Sequence, residues 1–450
     1  MKSNVLVVIY SQNQLRSFIE TKSFRKIKQQ KKYNLEFLYS KKLIKYLPTE
    51  NDNSSLMPTI PIFAEKLGYV LCASNLWRKR YKSSAHFMRA ILTHGTRKQR
   101  REETYAIDIP QISNSKIFHI FVKLFSYALI YKTCYTLRRL YLNRFFEKSF
   151  YNSSINIEKL TSVIVPFSGL LSPEFDDYIN FFNSKKIKSI AIQDNWDNLS
   201  SKTFINSKPD IFCVWGEQSA GHLKYIHSLY DTKVEITGSP RMIPYYSTAP
   251  RHLSYQSIPK ELRTRIKSPY ILFMGTGIND FYILREIINS VRTLKKIQIV
   301  YRPHPNSRNS SDLIEIKKFL KYGLIIDDST NSKDVYYHCG LVMNSELIVT
   351  QFSTTMVEGL LCNKKILLAG FTVREIKHSW SDTINTWAHF IGIAAFPNIF
   401  VSNQKKSFKK DLFRALYAEK EDSDKCSSWL AAKLNPEDEY YKVLRSLNRV

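Results

Sequence analysis

Four short segments carry side chains that could act on a substrate, and each follows an apolar run that reads as a strand. The first, QDNWDNLSSK at 193–202, packs Asp194, Trp196, Asp197 and Lys202 into ten residues. A carboxylate within hydrogen-bond reach of a hydroxyl can take its proton as general base, whereas the same carboxylates in an Asx-rich turn would only cap backbone amides. A tryptophan is costly to place in a mere turn, so the functional reading is preferred. Asp197 is the expected base, Asp194 its rival, and Trp196 and Lys202 the expected acceptor contacts, joined by Glu217 beyond the next strand.

The second segment, YRPHPNSR at 301–308, stiffens His304 between prolines and flanks it with Arg302 and Arg308. A rigid loop holding an imidazole and two guanidiniums suits the anionic oxygens of a diphosphate, because its geometry is fixed before binding. In the third, TQFSTTMVEG at 350–359, Ser353, Thr354 and Thr355 stand where a helix should start, an anion site of the kind that holds phosphates. Glu358 lies one turn later, placed to accept from ribose hydroxyls; simple N-capping is the competing account. The fourth, TGSPR at 237–241, is a tight turn whose Arg241 could meet a phosphate, although a turn without a ligand is its more economical reading. Gly275, after the apolar run 270–274, completes the expected donor set.

The elements that must position these segments form two arrays. Strands are expected at 5–10, 35–39, 162–166, 189–193, 211–215 and 234–237, with helices at 173–184 and 219–229. The alternation restarts with strands at 270–274, 297–302, 324–326, 347–349 and 365–369 and helices at 281–294 and 311–320. Short continuous apolar runs alternating with helical stretches describe parallel sheets covered on both faces. Between the arrays, the polar, proline-containing stretch 244–269 is the expected linker. Residues 14–30 read as a basic helical stretch. Residues 117–150 read as one long helix, equally suited to a membrane interface and to a core.

At 450 residues the chain exceeds what one core usually supports, so two domains are expected. Hydrophobic residues at 44% and charged residues at 24% exclude a disordered chain. No apolar stretch reaches the roughly 20 residues of a spanning helix, and no secretory signal is expected at the N-terminus. The six cysteines are scattered, with no zinc spacing, as in a reduced cytoplasmic protein. The net charge of +28 is uneven: residues 1–150 hold 28 Lys/Arg against 9 Asp/Glu. Such a field draws anionic partners, although part of it could be compositional bias. No RNA-binding fingerprint is present and no nucleic-acid partner is expected.

Taken in order over residues 160–372, these segments resemble the GT-B glycosyltransferases of bacterial surface polysaccharide synthesis. The likeness is strongest to the group of CDP-glycerol glycerophosphotransferases and capsule Kdo transferases. In that group a Gln-x-Trp-His-Gly loop, an Asp-aromatic strand, a Gly-x-Pro-Arg turn, an Arg-Pro-His loop and an Asp-x-Ser-Ser helix start occur in this order. Here the places are filled at 193–198, 210–216, 238–241, 302–305 and 351–355. Asp197 replaces the group's catalytic histidine and Gln351 its acidic residue; the first departure weighs against glycerophosphate transfer and for sugar transfer.

The resemblance implies an α/β, GT-B fold with two Rossmann-like domains facing across a cleft: an acceptor domain at 1–245, a linker at 246–268, a donor domain at 269–400 and C-terminal helices at 401–450. It implies a metal-independent, inverting glycosyltransferase with no cofactor beyond its nucleotide-sugar substrate, acting on a capsule, O-antigen or lipid-linked acceptor at the membrane's inner face. In that scheme Arg302, His304, Ser353 and Thr354 hold the donor phosphates and Asp197 activates the acceptor. A polyol-phosphate transferase and a sugar-nucleotide 2-epimerase of the same fold are the alternatives.

Overall fold

The computed structural model describes residues 2–47, 54–79, 116–153, 155–168, 173–246, 255–267, 269–277, 280–292, 294, 297–304, 311–327, 335–371, 384–385 and 387–447. The chain divides into two compact units, Met1–Pro240 with Leu434–Val450, and Arg241–Lys433.

The first unit is built on a seven-stranded sheet in the order β3-β2-β1-β4-β5-β6-β7. Its strands are β1 (Ser3–Ile9), β2 (Tyr33–Tyr39), β3 (Ser54–Leu56), β4 (Leu160–Phe167), β5 (Lys188–Gln193), β6 (Ile211–Val214) and β7 (Lys233–Ile236). Every pairing is parallel. The period of two along a strand explains the continuous apolar runs. Leu6, Val8, Val163, Val165 and Phe212 enter one core, while Val5, Val7, Ile9, Ile164, Ile190 and Ile192 enter the other. Burying each such side chain contributes about 1.5–3 kcal/mol, so strands covered on both faces need apolar residues at every position.

The Glu174–Ser184 helix covers the first face with Phe175, Tyr178, Ile179 and Phe182, and Phe146 and Phe150 pack behind it. The opposite face is covered by Leu15, Phe18, Phe24 and Ile27 together with Tyr440, Val443 and Leu444 of the Pro436–Leu447 helix. Arg25 to Glu437 and Lys26 to Asp438 ion pairs fasten that last helix in place.

Two expectations for this unit need correction. The stretch 117–150 is two helices, Lys116–Phe125 and Ala128–Tyr151, parted where Tyr127 takes an extended conformation (ψ 128°) and the Ser126 hydroxyl donates to Lys123 O. Within the second helix Arg138 is buried, pairs through both guanidinium arms with Asp177, and donates from Nε to Ala64 O at 2.8 Å. The basic stretch 14–30 is likewise interrupted. A π-helical turn at Leu15–Glu20 and a left-handed Lys22 (φ 56°) precede the short Arg25–Gln29 helix.

The second unit carries a six-stranded parallel sheet in the order β10-β9-β8-β11-β12-β13. Its strands are β8 (Tyr270–Met274), β9 (Gln298–Arg302), β10 (Leu324–Ile326), β11 (Leu347–Thr350), β12 (Ile366–Ala369) and β13 (Ile399–Ser402). The Asp280–Val291 helix buries Ile283, Leu284, Ile287 and Ile288 on one face, and Phe408 and Leu412 join the same core. In both sheets the strand order reverses beside the first strand, between β1 and β4 and between β8 and β11, the arrangement of doubly wound nucleotide-binding folds.

Strands β3 and β13 and the helices Ile62–Arg78 and Val335–Asn344 were not expected from the sequence. The expected linker is partly structured: Ile243–Tyr246 and Lys260–Arg263 are helical, and Tyr245 is buried. Among the described residues, no helix is long and apolar enough to cross a membrane.

Candidate functional site

Open α/β sheets bind ligands outside the carboxyl ends of their strands, at the point where strand order reverses. In the first unit that point lies between β1 and β4, and the loop after β5, the strand next to β4, is braced by several hydrogen bonds. Gln193 Nε2 donates to the carbonyls of Asn195 and Trp196 (both 3.0 Å), while its Oε1 accepts from Trp215 N (3.0 Å). Asn198 Nδ2 donates to Phe167 O at the end of β4 (2.7 Å). Trp196 is only 1% exposed and its indole N–H donates to Gln218 Oε1 at 2.7 Å, so it anchors the loop from within. That burial accounts for the tryptophan without any contact to an acceptor.

The two carboxylates of this loop differ in reach. Asp194 is buried. Asp197 is partly exposed and accepts from Asn195 Nδ2 (3.0 Å) and Ser201 Oγ (2.9 Å), with Lys202 Nζ at 2.9 Å. Lys202 is thus engaged as the partner of Asp197. Glu217 is exposed at the start of the Glu217–Tyr225 helix. The far side of the loop is clamped by His227, whose Nδ1 accepts from Ile205 N (3.2 Å) and whose Nε2 lies 2.7 Å from Leu199 O. Burial drives the His227 imidazole down to a pKa of about 3, which fixes a neutral ring able to accept on one nitrogen and donate on the other.

In the second unit the loops after β8, β9, β10 and β11 share one edge. Gly275 continues β8 by donating its N–H to Arg302 O (2.9 Å). A Cβ there would sit 2.2 Å from Asp280 Oδ2 and 2.9 Å from the Tyr301 ring, so only glycine permits the close approach. Asp280 accepts from the amides of Thr276 and Gly277 (both 3.1 Å) and from Tyr301 Oη (2.8 Å). These two amides therefore serve Asp280. Thr276 Oγ1 donates to Gln351 Oε1 across the β8/β11 junction, and Thr350 Oγ1 lies 3.1 Å from Ser353 Oγ.

Arg302 ends β9, pairs with Asp327 at the end of β10 and lies over the Tyr337 ring, 5.1 Å from its centroid. Tyr337 donates to the other oxygen of Asp327. His304 follows, half-buried, while Arg308 lies outside the described residues. Ser353, Thr354 and Thr355 are all partly exposed at the start of the Thr355–Leu361 helix. Thr354 occupies the cap position without a side-chain cap hydrogen bond, which removes the capping account of its hydroxyl. The helix has only seven residues, so its dipole adds little and any anion site here rests on hydroxyls and cations.

Glu358 is buried beside His338, with Oε2 3.6 Å from Nδ1, and Tyr245 Oη lies 2.9 Å from the same nitrogen. Burial raises the Glu358 carboxyl against the lowering charges of Arg241 and Arg302. Burial and then the same two guanidiniums push His338 well below its ordinary value. Both effects favour neutral forms, so the contact is not an ion pair. Gly238 takes a left-handed turn (φ 70°), open to glycine, and Arg241 lies in the Pro240–Met242 turn that follows.

Sequence reasoning did not single out Asp280, Asp327, Tyr245, Tyr337 or His338. Only Asp327 carried a signal, as an acid directly after an apolar run. One Asp-x-Asp triplet exists, Asp422 to Asp424, but Asp422 Oδ1 accepts from Asp424 N (3.0 Å) and Asp424 pairs with Lys433, so it forms a helix start. Among the described residues, no group of three or more His, Cys, Asp or Glu could hold a metal ion.

No family model matches the chain. No curated protein matches it in sequence. Solved structures do match in fold. A UDP-N-acetylglucosamine 2-epimerase from Listeria monocytogenes, itself described as putative, gives a TM-score of 0.57 at 10% identity, covering 100% of this chain and 98% of the other. The UDP-GlcNAc 2-epimerase of Methanocaldococcus jannaschii gives 0.50 at 9% identity, covering 98% and 99%. A variant of the wall teichoic acid polymerase TagF, soaked with CDPG, gives 0.50 at 10% identity, covering 98% and 88%.

These likenesses, with two Rossmann-like parallel sheets, show that the chain has the GT-B fold. The neighbours are enzymes named for nucleotide-sugar and cell-wall polymer chemistry, in keeping with the resemblance read from the motifs.

Proposed function

We propose that the protein is a GT-B glycosyltransferase that moves a sugar from a nucleotide-activated donor to a glycan or lipid-linked acceptor. The observation that carries this reading is the cluster at the β8/β11 reversal. There, the partly exposed residues Ser353 and Thr354 stand on the same edge as Arg302, and the charges of Arg302 and Arg241 act on buried Glu358. Asp327 engages one guanidinium arm of Arg302; with five N–H donors, an arginine so oriented still has others for a diphosphate. Glu358 accepts from the ribose, and His304 and the two arginines stabilise charge on the leaving nucleotide.

In the first unit Asp197 takes the proton of the acceptor hydroxyl, which attacks the anomeric carbon in one inverting displacement. Its reach favours it over buried Asp194, and opening of the Lys202 pair accompanies the transfer. The test combines calorimetry against a panel of nucleotides with turnover of the matching nucleotide-sugar, measured with and without acceptor glycans. Acceptor-dependent release of nucleotide supports transfer. Interconversion of the sugar without any acceptor would instead identify a 2-epimerase, and transfer of a polyol phosphate from a CDP-linked donor would identify the third activity.

A further inference from the structure

The Lys116–Phe125 helix is inside out. Ile117, Ile120, Phe121 and Leu124 follow the i, i+3, i+4, i+7 spacing that gathers side chains on one helical face, and a soluble protein normally turns such a face to its core. Here they are 66%, 64%, 42% and 44% exposed, while Val122 on the opposite side is buried. The apolar surface continues past the turn into Tyr127 and Leu129, both exposed, at the start of the Ala128–Tyr151 helix. Further along that second helix one face, with Arg138, Leu142, Phe146 and Phe150, belongs to the interior, while Leu137, Leu140 and Tyr141 are exposed on the other. The exposed apolar surface thus runs from residue 117 to residue 129 and recurs at Leu137, Leu140 and Tyr141.

We infer that this face is a docking surface for an anionic lipid bilayer, with the Lys116–Phe125 helix lying in the interface. Charge selects this occupant. No Asp or Glu occurs from residue 116 to residue 146. Lys123 is exposed on the helix, and Lys132, Arg139 and Arg144 are exposed on the one that follows. A second copy of this chain would bring the same cations and a net charge of +28 against them, a repulsion that an anionic surface converts into attraction. Four large apolar side chains on a short helix with flanking cations match the requirement for interfacial binding, in which buried apolar area and lipid charge add.

The test is flotation of the full chain with vesicles of phosphatidylcholine alone and with 30% phosphatidylglycerol, in about 50 mM and about 500 mM salt, conditions chosen to span the screening of surface charge. The expected result is co-flotation with the anionic vesicles at low salt, reduced at least tenfold at high salt and absent with phosphatidylcholine alone. The Ile120→Glu/Leu124→Glu variant, altered at two exposed positions, should lose flotation while keeping its far-UV circular dichroism and melting temperature. Lys123→Glu should weaken flotation several-fold. Absence of the wild-type protein from the anionic vesicle fraction would overturn the inference, as would undiminished flotation of the double variant. A concentration-dependent dimer that the double variant abolishes would also overturn it, and would assign the face to a second copy. None of these readouts depends on turnover, so the proposal stands or falls apart from the catalytic reading.

Discussion

Glu358 Oε2 and His338 Nδ1 lie 3.6 Å apart in the second unit, and burial presses both side chains towards their neutral forms. Only the ionised carboxylate offers all its lone pairs to ribose hydroxyls. Because the Glu358 carboxyl is raised, nucleotide affinity should grow as pH rises through its titration, and then level off. Calorimetry from pH 5 to pH 8 checks the direction. Glu358→Gln should cost roughly 1.5–3 kcal/mol of binding and flatten the profile. A variant that binds as wild type at every pH would remove Glu358 from the donor site.

Ser353→Ala combined with Thr354→Val should weaken nucleotide binding while leaving the fold intact, since both side chains are partly exposed and Thr354 makes no side-chain cap bond. Each charge-assisted hydrogen bond lost should cost on the order of 1.5–3 kcal/mol. Unchanged affinity at a normal melting temperature would place the phosphates elsewhere.

Asp197→Asn keeps the shape of the side chain but removes its basicity. Turnover should fall by about 100- to 10,000-fold with donor affinity largely kept, a loss in kcat rather than in binding. If Asp194→Asn abolished turnover while Asp197→Asn preserved it, the base would be Asp194. Activity in both variants would leave the carboxylates as braces of the loop, with Asp197 then serving Lys202, Ser201 and Asn195.

His227 gives the protein an acid-sensitive clamp on the same loop. Its folded-state pKa, about 3, lies below the ordinary 6.5, so the unfolded chain takes up the proton first. The stability of the neutral ring is fully present above pH 6.5 and is lost as pH falls towards 3. At pH 5 the loss from this group alone is about 2 kcal/mol. Urea unfolding at pH 7 and pH 5 should show a steeper acid slope for wild type than for His227→Gln. Equal slopes would mean that acid sensitivity arises at other groups.

Much of the fold is readable from residue 160 onwards, where strands buried on both faces leave uninterrupted runs such as those of β4, β5 and β8. Elements missed have identifiable reasons. β3 is three residues long and polar, reading Ser-Ser-Leu, and β13 follows a loop with only Ile399, Phe400 and Val401 to mark it. The Ile62–Arg78 helix is buried through much of its length, from Ala64 to Leu76, so it lacks the polar stripe that announces a surface helix. The loops of the candidate site were legible as positions but not as partnerships. Nothing near Trp196 in sequence points to Gln218, 22 residues away, and nothing near Arg302 points to Asp327 or Tyr337. Tyr245 stood inside an expected linker, because a short helical turn with two tyrosines has no period to reveal what it packs on.

The Pro436–Leu447 helix completes the first sheet's second face after the chain has passed through the whole second unit. During synthesis on a ribosome, the surface made by Phe18, Phe24 and Ile27 is translated early but acquires Tyr440, Val443 and Leu444 only when some 400 later residues have been added. The second unit can close its own core in that interval, whereas the first must wait with apolar side chains uncovered. Nascent chains paused anywhere between these two points are the species that a chaperone should hold and a protease should find.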